Sequence, residues 1–74
     1  MLRIGRAPTS DVVLDDPLVP LHHAMLELRS PPLLRDLGSF NGTYVSGQRV
    51  TAIPLWRGDV VTIGSSTYRW DDAG

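Results

Sequence analysis

The segment His23-Ala24-Met25-Leu26-Glu27-Leu28-Arg29 decides the fold class, because its side chains alternate with a period of two. That period predicts a strand with Ala24, Leu26 and Leu28 on a core face and Met25, Glu27 and Arg29 nearer solvent. Outward from it, no apolar period of 3.6 runs for the ten or more residues a helix needs, and prolines at 8, 17, 20, 31, 32 and 54 interrupt most candidates. Short β-rich runs instead occupy Leu2–Ile4, Asp11–Leu14, His23–Arg29, Leu33–Asp36, Thr43–Val45, Gln48–Val50, Val60–Ile63 and Thr67–Trp70. Asn41-Gly42, Ser46-Gly47 and Arg57-Gly58-Asp59 separate them with residues that accept positive φ in tight turns. Many short strands at such spacing predict an all-β sandwich or barrel.

Composition narrows the function. The chain has 74 residues and a formal charge of −1, which suits one small domain with room for one site and excludes a large multi-step enzyme. No stretch approaches the roughly 20 apolar residues of a membrane helix, and the first six residues lack the apolar core of a secretory signal, so a soluble, cytoplasmic protein without a membrane partner is expected. With no cysteine there is no thiolate nucleophile, disulfide or cysteine-ligated zinc. The near balance of charges supplies no positive field for a nucleic-acid backbone. All seven basic residues are arginine, so any anion site here uses the guanidinium fork.

No catalytic constellation of nucleophile, base and orienting partner is present, and no metal or other cofactor is expected. Adjacent His22 and His23 at a strand edge point to opposite faces and do not chelate one ion. Asp15-Asp16 and Asp71-Asp72 read as solvated turns, Trp56 and Trp70 as core or strand-edge packing, and residues 71–74 as a frayed tail.

Five blocks in order carry a family resemblance: Ile4-Gly5-Arg6; Ser10-Asp11-Val12-Val13-Leu14; His22-His23-Ala24; Asp36-Leu37-Gly38-Ser39-Phe40-Asn41-Gly42-Thr43-Tyr44-Val45; and Gly58-Asp59-Val60-Val61-Thr62-Ile63-Gly64. Across nearly the whole chain they resemble the forkhead-associated (FHA) family. The resemblance implies an FHA-like β-sandwich of short, mostly antiparallel strands, filling residues 1–74 as a single domain, whose loops bind phosphothreonine peptides without catalysis. It implies Ser/Thr kinases or their substrates as the source of that segment. Phosphothreonine offers about −1.5 to −2 charge and three acceptor oxygens, which a guanidinium fork plus hydroxyl or backbone N–H donors on rigid turns can match.

By that resemblance Arg6 meets the phosphate and Asn41 grips the peptide backbone. Thr9, Ser10, Leu21, His22 and Phe40 are further candidates for peptide contact. Gly5, His23, Ser39, Gly42 and Thr43 are expected to hold the site's shape: His23 by bonds within its own loop, Ser39 and Thr43 by hydroxyl-to-backbone bonds. Pro8 restricts Ala7 and is expected to help hold Arg6.

Two departures matter. The family pattern puts serine at 20 and a basic or polar residue at 21, where this chain has Pro20 and Leu21; Pro20 has neither hydroxyl nor N–H, so the phosphate site reads as partly degenerate. The family also carries two strands ahead of the Gly-Arg block, whereas only three residues precede Ile4 here. Their lack is expected to leave Thr67–Trp70 as an open edge, with three outcomes: a fragment of a longer polypeptide, a trimmed domain stable alone, or a unit completed by a partner or by self-association. The alternative function that follows is a phosphate-independent assembly domain using sheet faces or that edge.

Overall fold

The computed structural model describes residues 1–71, which contain nine strands and no helix. They are β1 (Leu2–Gly5), β2 (Val12–Val13), β3 (Ala24–Glu27), β4 (Leu33–Asp36), β5 (Thr43–Val45), β6 (Gln48–Val50), β7 (Ala52–Pro54), β8 (Val60–Ile63) and β9 (Ser66–Arg69). One sheet runs β2-β1-β3-β4-β7 and the other β6-β5-β8-β9. All pairs are antiparallel except β1 with β2. The tail expected at 71–74 lies, beyond Asp71, outside the described residues.

Four of the expected strands, β4, β5, β6 and β8, have the bounds the sequence predicts. The His23–Arg29 run ends early, at Glu27, so Leu28 is 61% exposed rather than in the core. The residues pairing with Glu27 and Leu26 are Leu33 and Leu34, and beyond that register nothing holds the alternation. Strand β7 has no counterpart in the sequence reading, because Pro54 argues against a strand. It survives as an edge strand, where a missing N–H costs nothing on the outer side. The β5–β6 hairpin closes through Ser46 and Gly47, both at positive φ, as a two-residue type I′ loop requires.

The core joins Ala24, Leu26 and Leu34 of the first sheet to Val45, Val61 and Ile63 of the second, with Leu14, Val19 and Leu55 supplied by loops. Registers Ile4↔Ala24, Ala24↔Asp36, Thr43↔Ile63 and Ile63↔Ser66 bring the ends of these strands to one pole. Three connections converge there: residues 6–23, 37–42 and 64–65. At the other pole Leu28, Pro31, Pro32, Leu55, Trp56 and Trp70 help line a cleft of about 560 Å³. Trp70 packs against the core, but Trp56 is 61% exposed, which corrects the assignment of both to packing. The outer edge of β9 is unpaired among the described residues.

Candidate functional site

Arg6 follows directly on β1. Its backbone is fixed against the incoming segment before β3: Arg6 N–H donates to Pro20 O at 3.0 Å and Ala7 N–H to Leu21 O at 3.2 Å. This approach needs Gly5, since a methyl group there would collide with the Leu21 carbonyl oxygen. The guanidinium is held by Nε donating to Val19 O at 2.9 Å, a contact the sequence reading did not anticipate. Asn41 Nδ2 donates to Leu18 O at 2.8 Å. Arg6 and Asn41, 35 positions apart in sequence, thus grip consecutive carbonyls of one short strip. Both residues are exposed. Among the described residues the terminal guanidinium nitrogens of Arg6 and the Asn41 Oδ1 keep no partner, which leaves a two-pronged donor beside an acceptor.

Asp16 organises that strip. Its Oδ1 accepts the Leu18 N–H at 2.9 Å, its carbonyl accepts the Val19 N–H at 2.9 Å, and its Oδ2 accepts both the Ser65 hydroxyl at 2.7 Å and the Ser65 N–H at 2.9 Å. The Ser65 hydroxyl, with the N–H groups of Ser65 and Leu18, lowers the carboxyl's pKa below its ordinary value. Asp15 is exposed, but Asp16 is buried, so the solvated-turn reading of the pair fails for the second member. An Asx pattern two residues before Leu18 is a local signal; the partner 49 positions away is not.

A second network supports the Asn41 turn. Asp36 Oδ1 accepts from the Ser39 and Thr43 hydroxyls, and Oδ2 accepts the N–H groups of Gly38 and Ser39 at 2.9 and 3.0 Å. Burial pushes this carboxyl up, but the hydroxyls of Ser39 and Thr43 and the two N–H donors outweigh it and leave the pKa lowered. Ser39 and Thr43 therefore close the turn through a carboxylate rather than through backbone. His23, with no exposed surface, sets Nε2 at 3.1 Å from Gly42 O and 3.0 Å from Thr43 Oγ1. Thr43 gives its hydrogen to Asp36, so the Nε2–H of His23 is the donor to both oxygens. His23 thus bridges the two sheets instead of bonding within its own loop. Arg49 Nη2 donates to Ser39 O and Phe40 O at 3.1 and 3.2 Å and fixes the tip of the turn. Asp16, Asp36, Arg49 and Ser65 are the supporting residues that sequence reasoning missed.

The remaining candidates divide. Phe40 projects from the pinned turn with 92% of its surface exposed, and Leu21 is exposed on the strip's far end. Thr9 is exposed, while Ser10 closes a turn through its N–H to Ala7 O at 2.9 Å and has a buried hydroxyl without a hydrogen-bond partner. His22 is exposed and lines a separate hollow of about 240 Å³ with Arg3, Met25 and Leu37. It is therefore not brought into the Arg6–Asn41 cluster, whereas buried His23 faces the opposite way. No group of His, Asp and Glu side chains arranged to hold a metal occurs among the described residues.

A family model described as "FHA domain" matches residues 2–64. The ABC transporter ATP-binding/permease protein Rv1747 of Mycobacterium tuberculosis is 48% identical over 66 residues, covering 86% of this chain and 8% of that protein. The solution structure of its FHA-2 domain superposes with a TM-score of 0.85 at 43% identity, over 99% of this chain and 68% of that one. The glycogen accumulation regulator GarA of the same organism is 44% identical over 61 residues, 81% of this chain and 38% of its own. M. tuberculosis EmbR, solved in complex with a low-affinity phosphopeptide, superposes with a TM-score of 0.90 at 33% identity, over 95% of this chain and 19% of that one. The chain thus spans well under half the length of both curated relatives.

Proposed function

The chain belongs to the forkhead-associated family, and from that membership and the joined Arg6–Asn41 pair we propose that it docks a protein segment bearing phosphothreonine. One domain carries this activity, as a binding module and not a catalyst. The terminal nitrogens of Arg6 donate to the phosphate, Asn41 takes the adjacent peptide backbone through its Oδ1, and Leu21 contributes its backbone N–H. Phe40, held out on a fixed turn, packs against a peptide side chain; Thr9 flanks the phosphate from the loop after Arg6, while Ser10, its hydroxyl buried, shapes that loop. The neighbour EmbR, similar over nearly the whole chain and solved with a phosphopeptide, supports the ligand class. The segment comes from a Ser/Thr kinase or its substrate, encountered in the cytoplasm; no helix among the described residues is long and apolar enough to cross a membrane.

The observation that carries this reading is the shared grip of Arg6 and Asn41 on Val19 O and Leu18 O. Its test is a calorimetric titration with one threonine peptide in phosphorylated and unphosphorylated form. Preference for the phosphorylated form that Arg6→Ala removes is expected; equal binding of the two forms rejects the proposal. The second reading, a phosphate-independent assembly domain, draws on Pro20 and on the unpaired outer edge of β9. A concentration-dependent sedimentation coefficient together with indifference to phosphate favours it.

A further inference from the structure

The strip that Arg6 and Asn41 grip is not held by its neighbours in sequence. We infer that Ser65, in the β8–β9 turn, is a positioning residue for phosphopeptide binding that acts through Asp16, a role resting on the ligand reading above. Ser65 offers both its N–H and its hydroxyl to one carboxylate oxygen, Asp16 Oδ2. The other oxygen of that carboxylate takes the Leu18 N–H, and the Asp16 carbonyl takes the Val19 N–H. The two residues so ordered are the ones whose carbonyls anchor Asn41 and Arg6. A continuous series of hydrogen bonds therefore runs from the β8–β9 turn to both ligand-facing side chains.

The surroundings are built for this contact. Val19 has no exposed surface, so the strip is anchored in the core at that residue, while Leu18 beside it is 55% exposed and depends on its polar bonds. Gly64 brings the turn in close: at φ +59° it lies where a Cβ would stand 2.6 Å from Asp16 Oδ2 and 2.8 Å from Val19 Cγ2. Ser65 is itself exposed and touches neither Arg6 nor Asn41, so its effect on a ligand passes through Asp16. Removing the hydroxyl leaves one fewer donor on a buried carboxylate. Leu18 then samples arrangements in which its carbonyl no longer meets Asn41, and affinity falls in proportion to the competent fraction.

The test compares Ser65→Ala, Ser65→Thr and Ser65→Asp with the unaltered chain. Amide hydrogen exchange at Leu18 and Val19 is read without ligand, and affinity is read with the phosphothreonine peptide. Ser65→Ala is expected to speed exchange at both amides and weaken binding about ten-fold. Ser65→Thr, which keeps the hydroxyl, restores both, and Ser65→Asp, which sets a second carboxylate against Asp16, loses more than the alanine variant. Unchanged exchange and affinity in Ser65→Ala overturn the inference, as does a threonine variant no better than alanine at equal thermal stability. If the unaltered chain ignores the phosphate but Ser65→Ala still loosens the strip, the ligand reading falls and the Asp16–Ser65 link stands.

Discussion

At the scale of the residue, the site is held by two carboxylates that each collect several donors. Asp36 is the clearer case, with two hydroxyls and two N–H groups on its oxygens. Its folded pKa is lowered, so the stability it contributes is complete above the unfolded value near 3.8 and is lost as pH falls through the lower folded value. Urea midpoints should therefore hold between pH 7 and 5 and drop below about pH 4. Asp36→Asn, which cannot ionise, should be less stable at neutral pH and show a shallower acid decline; an unaltered acid limb would mean the network carries no linkage. Pro20 makes a different point. Its carbonyl receives the Arg6 N–H, so the backbone strip is intact although the family's hydroxyl is missing. Pro20→Ser should return one donor to a charged ligand and tighten phosphopeptide binding by roughly ten-fold, measured by calorimetry. No gain would mean that other donors already occupy the position.

At the scale of the element, short strands matter mainly for where their ends fall. Strand β1 is four residues long, yet its last residue sets the distance between the Arg6 turn and the segment before β3. Gly5→Ala puts a methyl group against backbone atoms of Leu21 and Pro20, which cannot rotate away as a side chain would. A loss of about 1 to 3 kcal/mol in chemical unfolding, with weaker phosphopeptide binding, is expected. A fully stable variant would show the strip to be freer than its bonds suggest. Strand β7 illustrates the limit of reading elements from pattern. Ala52–Pro54 is only three residues long, contains a proline and is held by pairing with β4 at the sheet edge. Nothing local announces it.

At the scale of the whole molecule, two sheets share one apolar layer, and the polar residues that join the sheets lie at a single pole. Leu34 is 1% exposed in the middle of that layer, so Leu34→Ala should cost about 2 to 5 kcal/mol in equilibrium unfolding. A loss below about 1 kcal/mol would mean that the layer collapses to refill the space. Strand class, most strand positions and the turns were legible from the chain, because period-two alternation and glycine-bearing turns are local properties of neighbouring residues; the family was legible from its resemblance, through five motif blocks in order. The bounds of β3, the existence of β7 and the partners of His23, Asp36 and Asp16 were not. The β7 pairing, the His23 bridge and the Asp16–Ser65 contact join segments distant in sequence, and sequence order carries no distance for such pairs; the Asp36 donors lie within seven positions, in a turn whose closure through a carboxylate only the folded structure shows. The chain by itself therefore determined the strand class, most strand positions and the turns between them. Only the folded sandwich decided which carboxylates are buried among donors, because that depends on which strand ends register brings to the same pole.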